Sequence, residues 1–302
     1  MIYSFALAFL LGFELSYYLL ILQTGIVEYD NSNLVVLLPM FVGGVLGTIL
    51  AGKSWGKIQN PIHKVYIALS VQLVLSFFYP HYNTLTLCLL GVAVGVMAPL
   101  GIYLFKGKYQ GKFLLALAIA YTIGTYLFTT PAESRMWMAV IFTSIALLSA
   151  LVLRNYKIQA NEEHVTNSYI SYIPLMLWIF LDSNLFETIS RHTGINIWSS
   201  FTLVIILFHL LGLIAAFYMK LQDKKQHFFI ALLFLGSYTF SYLEMPLALA
   251  IVYPFTISYY NVIVFKALSR EESLYKLSIM MIFVGWIASG LGLGLALSKI
   301  LH

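Results

Sequence analysis

Few residues of this chain can do chemistry, and those few stand in apolar company. The densest group is LDSNLFETISR at 181–191, which places Asp182, Asn184 and Glu187 within two helical turns. At about 100° per residue, Ser183, Ser190, Glu187, Arg191 and Asn184 follow Asp182 around roughly half of a helix. Such a face fits two arrangements: the lining of a cavity, or a polar clamp in which Ser183 and Asn184 bond a neighbouring helix. Two carboxyls exceed what a clamp requires, which favours the cavity. A third carboxyl, Glu14, sits in the middle of FLLGFELSYY at 9–18. The run YPFTISYYN at 253–261 adds Tyr259 and Asn261 as lining candidates, beside a proline that frees a backbone carbonyl. Glu14, Asp182, Asn184, Glu187, Tyr259 and Asn261 are therefore the expected solute- or proton-binding groups. Asp182, Asn184 and Glu187 are alternatively hard oxygen ligands for a divalent metal ion or metal chelate. His209, alone in an apolar run, reads as a satisfied packing residue. The single cysteine, Cys88, excludes a disulfide framework and a cysteine-based metal cluster.

The elements that must hold these groups follow from composition. Of 302 residues, 61% are hydrophobic and 10% charged, far from the roughly 25% charged residues of soluble domains. Apolar runs near 20 residues recur at 2–27, 34–51, 65–79, 85–105, 113–130, 136–153, 170–189, 197–219, 228–242, 246–265 and 277–297. Lipid offers no hydrogen-bond partner, so each continuous run must satisfy its own backbone as a helix. The expected fold is thus an all-α polytopic membrane protein, with lipid bilayer as its main partner. An ionisable group at membrane depth costs roughly 2.5–3.5 kcal/mol on insertion scales, so Glu14, Asp182 and Glu187 each demand a role.

Orientation follows from basic residues, which are retained on the cytoplasmic side. Lys53, Lys57, Lys64, Lys106, Lys108, Lys112, Arg154, Lys157, Lys220, Lys224, Lys225, Lys266, Arg270 and Lys276 fall in the connectors after even-numbered runs, against Arg135, Arg191 and Lys299 on the other side. This predicts a cytoplasmic amino terminus in a bacterial inner membrane. The first run lacks a basic leader and carries Glu14, so it reads as a retained helix rather than a signal peptide. The net charge of +5 belongs to these inner loops, and no basic stripe with interleaved aromatics points to nucleic acid. The GKSWGK and GKYQGK stretches at 52–57 and 107–112 are inner turns, since neither has the spacing of a phosphate-binding loop.

The polar stretch at 155–168 divides the chain into an expected six-helix bundle, 1–154, and a five-helix bundle, 169–302. In transporters built from repeats the solute path lies between two such halves. Several local features resemble the major facilitator superfamily: GTILAGKSWGK at 47–57 resembles its glycine-and-basic loop, although the usual acidic residue is missing. Gly91, Gly95 and Pro99 resemble its glycine-rich fourth helix, and Gly124 and RMWMA at 135–139 resemble its fifth and sixth. The resemblance implies two helical bundles of six and five spans, one short of that family's usual twelve. A ten-span drug/metabolite-type carrier is the second architecture. The implied activity is secondary active transport of a small organic cation or neutral solute by alternating access, with possible proton coupling. A metal transporter and a non-transporting assembly subunit are the alternatives. No enzymatic constellation and no cofactor are expected. The glycines of runs two, four and eleven read as sites of close helix approach.

Overall fold

The structure is a computed structural model that describes residues 2–29, 34–56, 58, 60–106, 111–156, 172–191, 197–271 and 273–298. The expected connector from 157 onward, residues 107–110 of the second basic turn, Lys57, His192, Lys299 and the side chain of Arg191 lie outside the described residues. What is described is helical, and its single bridge pair joins Trp55 to Ile58. Eleven helical stretches correspond to the eleven apolar runs. They are α1 (Ile2–Tyr17, continued by Tyr18–Ile26 and Val27–Tyr29), α2 (Leu34–Gly52), α3 (Pro61–Ser76), α4 (Thr84–Leu104), α5 (Phe113–Leu127) and α6 (Met136–Val152). After the connector come α7 (Ile173–Arg191), α8 (Thr202–Tyr218), α9 (Asp223–Tyr242), α10 (Pro246–Ser269) and α11 (Leu274–Met281, Ile282–Ile287 and Ala288–Leu297).

Six of these stretches are long and apolar enough to cross a membrane, and α3, α5 and α8 are shorter apolar helices. Outward-facing side chains are apolar as well: Leu203 is 78% exposed, Val35 70% and Leu235 64%. A water-facing surface would not carry such residues in every helix, whereas lipid welcomes them. The chain is thus a helical integral membrane protein.

Local sequence explains where several helices begin. Asn60 accepts from the Ile62 amide ahead of α3, with Pro61 at the first helical position. Asn83 and Thr86 form a reciprocal capping box at the start of α4. The Lys64 ammonium donates to the carbonyls of Ala51 and Lys53 at 2.9 and 2.6 Å, closing the end of α2, where the macrodipole favours a cation.

Packing pairs follow a pattern. Helix α2 packs on α4, α1 on α5 and α3 on α4; six helices further along, α8 packs on α10, α7 on α11 and α9 on α10, while α6 packs on α1 and α3, α5 on α8 and α11 on α2. The α2–α4 seam is made by glycine: a Cβ on Gly91 would strike the Met40 carbonyl, and one on Gly95 the Gly44 carbonyl. Thr48 on α2 uses the closeness to donate across the seam to the Gly95 carbonyl at 3.0 Å. The expected role of these glycines, close helix approach, is what the packing displays.

The segment Tyr18–Ile26 of α1 is wound as π-helix, which changes which carbonyls are satisfied within the helix. Arg135, only 2% exposed, reaches across from the start of α6. It donates to the Leu20 carbonyl at 2.9 Å, the Thr24 hydroxyl at 2.8 Å, and the Phe128 and Thr130 carbonyls at 2.7 and 2.8 Å. A basic residue assigned by its position to the outer side is thus a buried brace.

Candidate functional site

A cavity of about 320 Å³ lies among α1, α4, α5, α7, α8, α10 and α11. Its walls are mostly apolar, with Met97, Leu117, Ile179, Ile257 and Val264 prominent, and its polar atoms converge from few residues. Glu14 and Tyr18 enter from α1, Tyr121 from α5, Asp182 and Ser183 from α7, His209 from α8, Tyr260 and Asn261 from α10, and Trp286 and Ser289 from α11. No lysine or arginine is among the described lining residues.

Of the two carboxyls in the cavity lining, Asp182 has the more hydrogen bonds. Its two oxygens accept the hydroxyls of Tyr253 at 2.9 Å and Tyr260 at 2.5 Å. These tyrosines are seven residues apart on α10, hence on one face of that helix, so both reach the same carboxylate. Around them, Asn261 donates to the Tyr121 hydroxyl at 2.9 Å. The His209 ring lies parallel to the Tyr121 ring at 4.4 Å and shares a hydrogen bond of 2.8 Å with Ser258. Ser183 and Ser289 hydroxyls pair at 2.7 Å between α7 and α11. The cavity therefore offers a carboxyl, Asp182, ringed by aromatic faces and hydroxyls, with the Glu14 carboxyl in the same lining.

Glu14 is bonded differently. Gln72 donates one amide hydrogen to Glu14 Oε2 at 2.9 Å and the other to the Thr143 hydroxyl at 3.2 Å. Glu14 Oε1 has no partner although the residue is only 7% exposed. Gln72 is a lone amide in the apolar run ALSVQLVL, which is the sequence signal for this contact. Tyr260 belongs to the hydroxyl-bearing run at 253–261, whereas Tyr18 and Tyr121 carry no distinguishing signal, because tyrosine at a membrane interface and tyrosine in a cavity look alike in sequence.

The remaining expected groups stand elsewhere. Asn184 accepts the Tyr238 hydroxyl at 3.1 Å and donates to the Gly292 carbonyl at 3.4 Å. It therefore bonds α7 to α9 and α11, in the manner of an interhelical clamp. Glu187 is buried, 4% exposed, outside the cavity lining. Tyr259 is buried between the rings of Phe229 and Phe255 at 5.1 and 6.1 Å. Asp182, Asn184 and Glu187 do not form one donor set, and among the described residues no three His, Cys, Asp or Glu side chains converge as metal ligands. Of the six expected residues, the cavity gathers Glu14, Asp182 and Asn261.

The chain matches no protein-family model and no curated protein. The likeness to the major facilitator superfamily rests on the motifs quoted above.

Aromatic clusters stand at the two ends of α5, along the cavity wall. Helix α5 runs from Phe113 to Leu127, so Phe113 and Phe128 mark opposite ends. At one, the Phe105 ring stands 5.9 Å from Phe113 and 6.0 Å from Phe265. At the other, Trp198 stands 4.6 Å from Phe128 and 5.6 Å from Phe186. Each cluster joins helices from before and after the connector.

Proposed function

We propose that this chain is a secondary active transporter, of major-facilitator-like two-bundle architecture, that moves a small organic cation by alternating access. The observation that carries this reading is the cavity itself: about 320 Å³, bounded by helices from both sides of the connector, with Asp182 held by two tyrosines and no basic residue opposite. A carboxylate in a space poor in water calls for a positive partner, and aromatic faces add cation–π attraction for an ammonium. The volume lies at the lower end of ordinary ligand sites, about 300–1,000 Å³. Packing pairs that recur six helices apart support two related halves, 1–154 and 169–302. The aromatic clusters at the two ends then serve as alternating closures, and Glu14 is the carboxyl placed to couple movement to a proton. In this reading the amino terminus is cytoplasmic.

The test is counterflow in proteoliposomes loaded with unlabelled trimethylphenylammonium, a permanently charged ion that does not cross lipid unaided. Accumulation of labelled cation, absent with Asp182→Asn and unaffected by mannitol, is the expected result. A purified, folded protein that exchanges none of a panel of quaternary and primary amines would overturn the assignment.

A further inference from the structure

Among the described residues, six buried side-chain atoms lack a hydrogen-bond partner: on Glu14, Gln72, Tyr82, Trp198, Tyr259 and Ser278. Three of the six belong to one seam leading away from the cavity. From Glu14 the seam passes to Gln72, whose amide hydrogens are both spent and whose Oε1 is unpaired. One turn on along α3, the Ser76 hydroxyl lies 2.8 Å from the Gln72 carbonyl and 3.4 Å from the Tyr17 hydroxyl. The Tyr82 hydroxyl faces that of Tyr17 without completing a bond. Gln72, Ser76 and Tyr17 are fully buried, whereas Tyr82 belongs to the connector after α3, next to the exposed His81.

Unpaired acceptors on Glu14 and Gln72 and an unpaired phenol on Tyr82 are what buried water completes, and such water needs a polar site with two or more partners. Hydroxyls can accept a proton on one side while donating on the other, so Ser76, Tyr17, Tyr82 and intervening waters make a relay. Gln72 brackets the file without carrying protons. The apolar bulk of the solute cavity lies on the other side of Glu14.

We infer that this seam holds a file of buried water through which protons reach Glu14 from the connector at 77–83, by a route separate from the solute's. One proton enters from bulk water at Tyr82, each member of the file takes one and passes one on, and the Glu14 carboxylate becomes a neutral carboxyl. Release toward the cavity returns the charge. The inference rests on the transporter reading and names its coupling route. The titratable groups on the elements around Glu14 are Tyr17 and Tyr18 beside it on its own helix, Tyr121 and Tyr126 on α5, none on α6, Cys88 and Tyr103 on α4, and His63, Lys64 and Tyr66 on α3, whose Gln72 bonds it, with Asp182 across the cavity.

Two measurements on the full chain in nanodiscs test it. In X-ray hydroxyl-radical footprinting, which marks side chains beside bound water, Tyr17 should be modified at least fivefold faster than Phe234, which is equally buried in the apolar core. Ser76→Val or Gln72→Leu should remove the difference. In infrared pH-jump spectroscopy, the carboxyl band that Glu14→Gln abolishes should rise at least tenfold more slowly in the Ser76→Val, Tyr82→Phe double variant, while trimethylphenylammonium counterflow persists. Labelling of Tyr17 no faster than Phe234, or a Glu14 band with unchanged kinetics, would overturn the inference. Loss of counterflow in the unmodified protein would instead strike at the transporter reading and leave the footprinting result to stand alone.

Discussion

At the scale of single residues, two side chains carry most of the argument, and each makes a prediction. Asp182 owes its geometry to Tyr253 and Tyr260, so Asp182→Asn keeps the shape and removes the charge. Cation counterflow should fall at least tenfold while the melting temperature hardly moves. Tyr260→Phe should cost less, on the order of 1 kcal/mol in cation affinity, because one hydrogen bond to the carboxylate remains. Isothermal titration with trimethylphenylammonium separates the two. Arg135 is the opposite kind of residue, one that binds protein rather than ligand. Arg135→Leu strands the carbonyls of Phe128 and Thr130 and leaves that of Leu20 only the Thr24 hydroxyl at 3.4 Å, and each stranded acceptor costs about 1–3 kcal/mol. A marked drop in the unfolding temperature in detergent is expected, and Arg135→Lys should restore only part of it, since an ammonium lacks the guanidinium fork.

At the scale of elements, the glycine seams divide sites that tolerate a side chain from sites that do not. Gly91 meets the Met40 carbonyl, whereas a Cβ on Gly294 meets nothing within 4 Å. Gly91→Val should therefore lower folded yield and melting temperature sharply by forcing α2 from α4. Gly294→Ala should be neutral or stabilising by about 0.4–1 kcal/mol, through the entropy of the unfolded chain. Fluorescence-detected size-exclusion chromatography after heating measures both. These elements were legible in the sequence because lipid forces an apolar run to become a helix, and the runs at 85–105 and 246–265 have close counterparts in α4 and α10. The π-wound stretch of α1 was not legible, because the group that satisfies its Leu20 carbonyl lies 115 residues away on Arg135. The site was half legible for a related reason. A carboxyl in an apolar run announces its cost, which exposed Glu14 and Asp182. Which face of α7 meets the cavity depends on neighbours that α7 does not encode, so Asn184 fell on a clamp to α9 and α11 instead.

At the scale of the whole molecule, a carrier working by alternating access needs a contact that holds one end of its cavity shut. Just beyond the Phe105, Phe113 and Phe265 cluster, the turn between α10 and α11 presents Glu271, 2% exposed. Its carboxylate accepts the Tyr172 hydroxyl from the start of α7 and pairs with Lys276 at 2.9 Å, while its backbone carbonyl accepts from Lys106 at the end of α4. Lys106 from before the connector and Tyr172 and Lys276 from after it thus meet at one buried acidic residue. Removing one partner of a buried ion pair is strongly unfavourable because the other charge is left without compensation. Under alternating access, that loss falls on the conformation in which the clasp is formed and spares the one in which it is broken. Glu271→Ala should therefore shift the population toward opening at this end. With Cys88→Ala as background and Ala98→Cys as reporter on the cavity wall, modification by a membrane-impermeant methanethiosulfonate from the Lys106 side should accelerate several-fold in the Glu271→Ala variant. Lys106→Met tests the second strand of the clasp, since the Lys106 contact to the Glu271 backbone survives truncation of the glutamate side chain. If neither substitution changes the labelling rate while both lower thermal stability, the clasp is a static brace and the closure belongs to the phenylalanine cluster alone.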